Sequence, residues 1–314
     1  MGEMLKIVVR VVMRLSPDVG YIKLKFIGQS LYSKTIPMMS YQQQPMNTNM
    51  AGMIPQRTHF QIVSDLHIDT SMDTSTIDWR TMFTKNAETL IIVGDVGRLE
   101  YYDNYKIFME SICKYYKDVY LVAGNHEYYS HTVPYTFLNT DLHKLDREIP
   151  NLTVLDNSYV DLPGNIRLYG TVLWSQVSSR EATRKILPMT SVSGEITGTN
   201  TWMNMKHFND LYMLENNIAL ANRDKKRLIV VSHYAPCYEG CLRDDHLVSS
   251  DRFWYANKLD NMLTRDNMYV WIYGHTHVNS DRLTAGDTRV VSNQYRGKDY
   301  NPKKVLSIKH VYTT

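Results

Sequence analysis

The chain has 314 residues, 43% of them apolar and 21% charged, with 35 Lys+Arg against 32 Asp+Glu. This is enough for a packed core and excludes whole-chain disorder; three cysteines and no apolar run of ~18 residues exclude a disulfide scaffold and an integral membrane protein. A net charge of +3 gives no ground for a nucleic-acid partner, and without a recognisable targeting signal the default location is cytoplasmic.

The charge is unevenly spread. Residues 1–56 carry six bases and two acids, leaving 29 bases and 30 acids for residues 57–314. The stretch from Thr35 to Gln56 is uncharged and rich in Pro, Gln, Asn and Met without apolar periodicity, which reads as a flexible linker. Residues 1–56 are therefore expected to be an N-terminal extension and linker. Few acids and some arginine also fit a transit peptide, but Ser is scarce and no cleavage pattern stands out.

From His59 the pattern becomes short apolar runs that end in polar clusters: HFQIVSD (59–65), TLIIVGD (89–95), VYLVAGN (119–125), RLIVVSH (227–233) and YVWIYGH (269–275). Runs of this length read as strands buried on both faces. Helical spacing falls between them, over Tyr105–Lys117, Tyr135–Arg147, Met203–Asp224 and Tyr255–Arg265. Alternating strands and helices predict an α/β layered fold, with residues 57–314 as one domain. NLTVLD (151–156), SYVDL (158–162) and IRLYGTVLW (166–174) read as successive antiparallel strands, with a turn at Pro163-Gly164-Asn165. The Ser/Thr/Gly-rich stretch 175–200 is aperiodic, and a loop that long suggests a functional one.

The strand endings form a set: Asp65-Leu66-His67, Gly94-Asp95, Gly124-Asn125-His126-Glu127, His233 and Gly274-His275-Thr276-His277. Asp65, Asp95 and Asn125 are spaced thirty residues apart, one βαβ unit each. Polar groups at the carboxyl ends of such strands converge in one cleft. Oxygen and imidazole donors without thiolate suit divalent Mn, Fe, Zn or Co; Mn is the first expectation, with Ni or Mg also possible. Seven candidate ligands are too many for one tetrahedral ion and fit two, with one carboxylate bridging. Two ions ~3.5–4 Å apart can bind phosphate oxygens and a bridging hydroxide for in-line displacement.

DLH, GD, GNHE, a His after an apolar strand, and GHTH, in this order, resemble the calcineurin-like metallophosphoesterase superfamily over roughly Phe60 to Tyr300. GTVLW (170–174), SHYAP (232–236) and GDTRVVSNQYRG (286–297) are similar to small phosphoesterases found mainly in bacteria and phages. The resemblance implies a four-layer αββα sandwich of two mixed sheets flanked by helices. It also implies that Asp65, His67 and His277 hold one metal and Asn125, His233 and His275 the other. Asp95 would bridge them, and His126 would contact the phosphoryl oxygen or protonate the leaving group. The Asp-Arg-Gly that follows GD in eukaryotic protein phosphatases is absent, since Asp95 is followed by Val96-Gly97-Arg98.

The expected activity is hydrolysis of a small, nucleotide-like phosphodiester or phosphomonoester, with Arg98 and Tyr234 as candidate substrate contacts. A nuclease or phosphoprotein phosphatase is the alternative, and a metal-bound scaffold without chemistry a further one. The near-neutral body argues against nucleic acid because tracking phosphates needs a basic groove. The spacing of His233, Cys237, Cys241 and His246 also admits a structural zinc site, but His233 is already claimed; the cysteines are expected to be reduced thiols in a substrate-facing loop. The oligomeric state is not written in the sequence.

Overall fold

The computed structural model describes residues 56–68, 77–177, 187–190 and 197–311. The N-terminal extension and much of the expected 175–200 loop lie outside the described residues.

The apolar runs become strands, and their alternation decides the layering. The first sheet has the order β11-β1-β2-β3-β4, built from β1 (Arg57–Val63), β2 (Thr89–Val93), β3 (Asp118–Val122), β4 (Leu152–Val154) and β11 (Val305–Lys309). The second has the order β5-β6-β7-β8-β10-β9, built from β5 (Ser158–Leu162), β6 (Ile166–Thr171), β7 (Arg227–Ser232), β8 (Val270–Tyr273), β9 (Asp281–Leu283) and β10 (Arg289–Ser292). Both are mixed: β11 in the first, and β5 and β9 in the second, run antiparallel to otherwise parallel neighbours.

Alternate side chains share a face. Phe60 and Ile62, Ile91 and Val93, Tyr120 and Val122 from the first sheet meet Ile166 and Leu168, Ile229 and Val231, Val270 and Ile272 from the second. The opposite face of the first sheet (Val63, Leu90, Ile92, Val119, Leu121) packs with Phe108, Met109 and Ile112 of α1 (Tyr102–Cys113) and Leu138, Leu142 and Leu145 of α2 (Tyr135–Glu148). The outer face of the second (Tyr169, Leu228, Val230, Trp271, Tyr273) packs with Leu214, Ile218 and Ala221 of α3 (Asn200–Arg223). Three apolar layers between four structural layers define the αββα sandwich.

Three expectations need correction. First, the strands after residue 150 do not form one antiparallel run. β4 pairs parallel with β3 at the edge of the first sheet, and the chain turns through Asn157 at φ 49° into the second, where only β5 and β6 are antiparallel. Secondly, IRLYGTVLW leaves the sheet after Thr171, with Leu173 at φ 53°. Thirdly, Tyr255–Arg265 is not a helix; it holds a single 3-10 turn, Asp260–Met262. Its backbone is instead tied to the preceding loop by Asn257 N–H to Ala235 O (2.8 Å) and Leu259 N–H to Pro236 O (2.9 Å). The helical spacing of Leu259, Met262 and Leu263 reflects their common burial against the second sheet's outer face.

Candidate metal centre

Five parallel strands, three from one sheet and two from the other, end around one point. The turn after β1 carries Asp65 and His67, that after β2 Asp95, and that after β3 Asn125 and His126; β7 delivers His233, and β8 His275 and His277. The sheets are stitched together there by Ser64 N–H to Asn293 O (3.2 Å) and Tyr295 N–H to Ser64 O (2.9 Å). Neighbouring turns also bond directly, Asp65 N–H to Gly94 O and His67 N–H to Asp95 O, both at 3.0 Å.

These turns are held in an uncommon conformation. Asp65, His67, Asp95, His275 and His277 have φ between 48° and 69°, so five of the seven expected ligands occupy the left-handed region. For residues other than glycine this costs about 1–3 kcal/mol each and persists only where the surroundings impose it. Gly124 shows how closely the backbones approach: a Cβ there would stand 2.2 Å from Asp95 Oδ1 and 2.7 Å from His233 Cε1.

The donor atoms fall into three triads, each with all its atoms within 4.8 Å: Asp65–His67–His277, Asp95–His233–His275 and His67–Asp95–His126. Asp65 Oδ1 lies 3.9 Å from His67 Nε2 and 3.6 Å from His277 Nε2. Asp95 Oδ2 lies 3.8 Å from His67 Nε2, and its Oδ1 lies 3.3 Å from His233 Nε2. Asn125 Oδ1 is 3.1 Å from the same His233 nitrogen. Separations of this size match the edges of a coordination shell with bonds of roughly 2.1 Å. The borderline oxygen and imidazole donor set fits a divalent metal.

A supporting layer aims these groups. His233 Nδ1 donates to Val93 O (2.8 Å) and His275 Nε2 to Trp254 O (2.9 Å), which reserves Nε2 of the first and Nδ1 of the second for a metal that displaces any proton there. Asp65 accepts from Ser64 Oγ (2.6 Å) and His275 N–H (3.2 Å), and Asp95 Oδ1 from His126 N–H (2.9 Å). Fully buried Glu127 gathers Gly124 N–H (2.6 Å), Val96 N–H (2.8 Å), Asp95 N–H (3.0 Å) and Tyr105 OH (3.1 Å). Gln294 Oε1 accepts from His277 N–H (2.5 Å).

Burial raises the Asp65 carboxyl to about 7, with the neighbouring Asp95 charge adding to it. Burial alone would raise Asp95 too, but His233, His126 and His67 outweigh it and hold Asp95 well below the usual carboxylate range. Burial opposes charge on His233, yet Asp95 raises it to about 9; burial and the His233 charge push His275 down to about 3.

All seven expected ligands and His126 converge here. The two expected substrate contacts do not. Tyr234 is buried behind the centre, its ring 4.2 Å from His275 and 5.5 Å from Trp174, outside the lining of the cavity. Arg98 sits at the start of a 3-10 turn before α1, outside the lining of the cavity. Cys237 and Cys241 are buried in the second sheet's outer layer with sulfurs 3.4 Å apart, not substrate-facing. The cavity above the centre, of about 360 Å³, is instead completed by Tyr129, Arg243, His246 and Tyr255. Sequence reading missed these roles of Arg243, His246 and Tyr255, and those of Glu127 and Gln294. The place of Glu127 inside GNHE and of Gln294 inside GDTRVVSNQYRG offered a signal.

Strand ends that present a buried carboxylate–imidazole cluster to an open cavity define a metal-dependent phosphoesterase of the αββα class. The profile of the calcineurin-like phosphoesterase family matches residues 58–279, and the chain belongs to that family. It is 26% identical over 278 residues to an uncharacterized protein of Acanthamoeba polyphaga mimivirus, covering 78% of this chain and 95% of that protein. Among solved structures it is similar to the phosphopantetheinyl hydrolase of Mycobacterium tuberculosis (TM-score 0.51, 16% identity, 77% of this chain and 92% of that one). A dimetal phosphatase from Danio rerio is similar at TM-score 0.47 and 12% identity, over 81% of this chain and 99% of that one. Among the described residues no helix is long and apolar enough to cross a membrane.

Proposed function

We propose that the centre holds two divalent ions, Mn first among them, and hydrolyses a small phosphoester. Asp65, His67 and His277 would hold one ion, Asn125, His233 and His275 the other, with Asp95 between them. The observation that carries this reading is the division of Asp95: Oδ2 faces His67 and Oδ1 faces His233, so one carboxylate serves both groups. When bound, the ions supply Lewis acidity at the phosphoryl oxygens and a water acidic enough to attack phosphorus at neutral pH.

The protein's own groups do the rest. Backbone N–H groups of His126 and His275 fix the carboxylates in place. His126 is half-buried beside the cavity, its ring edge-on to His67 at 4.4 Å and 4.7 Å from Tyr129. From there it stabilises charge on the phosphoryl oxygen or delivers a proton to the departing alkoxide. A cavity near the low end for small-molecule sites supports a compact substrate over a polymer.

The test is hydrolysis of p-nitrophenyl phosphate and bis-p-nitrophenyl phosphate by Mn-loaded protein, with elemental analysis of each variant. Asp95→Asn should lose bound metal and nearly all turnover, whereas His126→Ala should keep its metal and lose about 100-fold or more in kcat. Folded variants as active as the parent would sink the assignment.

A further inference from the structure

The candidate ligands account for the floor of the cavity but not for its outer wall. His246 and Tyr255 line that wall with ring centroids 4.3 Å apart and planes only 10° from parallel. The stack is continuous with the core: Tyr255 lies 5.8 Å from His275, which packs at 4.2 Å on the buried Tyr234. His246 Nδ1 is buried without a hydrogen-bond partner, so stacking, and not a polar bond through that nitrogen, holds the ring. A flat, π-faced surface therefore stands beside the place of the phosphoryl group, with Tyr129 also lining the cavity.

Of the charged segment 243–245, only Arg243 lines the cavity. Arg243 forks onto Asp245 (2.8 and 3.1 Å), and Asp244 lies between them in sequence, so the segment 243–245 carries a net negative charge. A neutral ring would stack on the imidazole–phenol pair, and the guanidinium could turn from Asp245 to its edge.

We propose that Arg243, His246 and Tyr255 form a leaving-group subsite for a heteroaromatic ring, so that the substrate is a phosphoester of a nucleoside-like alcohol. This rests on the phosphoesterase reading above. It is tested with the Mn-loaded full chain turning over bis-p-nitrophenyl phosphate, with adenosine and ribose as inhibitors that carry no phosphate. Adenosine should compete with a Ki about tenfold or more below that of ribose, the scale of one base–aromatic stack. His246→Ala and Tyr255→Leu should each bring the two Ki values together while bound metal is retained. If Tyr255→Leu fails to fold, His246→Ala decides. Equal Ki values in the parent, or an unchanged ratio in folded variants, would overturn the subsite alone. No hydrolysis by the metal-loaded parent would instead overturn the phosphoesterase reading beneath it.

Discussion

The floor and the outer wall of the cavity are built on opposite principles. The floor residues Asp65, His67, Asp95, Asn125 and His233 are at most 6% exposed, sit at the ends of paired strands, and are locked by hydrogen bonds from neighbouring turns. The wall residues Arg243 and His246 belong to a loop that carries the single turn α4 (Asp244–Leu247), and Arg243 and Asp245 are largely exposed. Chemistry needs donor atoms fixed to fractions of an ångström, which only a strained, over-determined scaffold provides. Recognition of the rest of a substrate tolerates a loop, and a loop can diverge without disturbing the metal centre.

The largest effect on this contrast should come from the floor's hidden support. Glu127→Ala strips the acceptor from three buried backbone N–H groups at the turns that carry Asp95 and Asn125. Each unsatisfied group costs about 1–3 kcal/mol, so a loss of about 3–5 kcal/mol is expected in urea denaturation. Metal affinity should fall about 10–100-fold, as elemental analysis after dialysis would show. Retained stability and metal would mean that the turns hold themselves. Gly124→Ala tests the same packing from the other side. Its Cβ would collide with Asp95 Oδ1, and overpacking of this kind costs about 1–3 kcal/mol. Metal content should drop even where the variant still folds.

How much of this was legible follows from where the information lies. Five of the seven candidate ligands stand within three residues of the end of an apolar strand, so strand periodicity alone puts Asp65, Asp95, Asn125, His233 and His275 at one edge of the fold. Layering was legible for the same reason, since both faces of each central strand are apolar. The wall was not, because Tyr255 reaches the cavity through loop closure, by the Ala235–Ala256 bridge and Asn257 N–H to Ala235 O, and neither has a sequence period. Tyr234 was misplaced by adjacency: although next to His233 in sequence, its ring packs between His275 and Trp174 and does not line the cavity. Glu127 looked like one more charge in a motif, and only the folded turns show its carboxylate collecting their N–H groups.

A subtler prediction concerns Asp210, on α3 behind the floor. Its carboxylate accepts from Trp174 N–H (3.2 Å) and Asn157 Nδ2 (2.8 Å), pinning the helix beside the aromatic ladder that backs His275. Burial raises it from 3.8 to about 6. A group raised on folding contributes stability fully at pH below 4 and loses it as pH rises through about 6. Asp210→Asn should therefore remove about 3 kcal/mol of the parent's decline in unfolding free energy between pH 4 and pH 7. Parallel pH profiles for parent and variant would place the charge elsewhere.

The smallest expected effect separates wall from floor most directly. Arg243→Ala breaks an exposed ion pair between side chains 61% and 58% accessible, where water and salt screen both charges. The denaturation midpoint should stay within experimental scatter and bound metal should equal the parent's, because no floor residue depends on this guanidinium for position. The change should surface only in inhibition by a ring-bearing ligand. If Arg243→Ala instead releases metal, the wall is mechanically coupled to the floor, and the division between rigid chemistry and adaptable recognition does not hold.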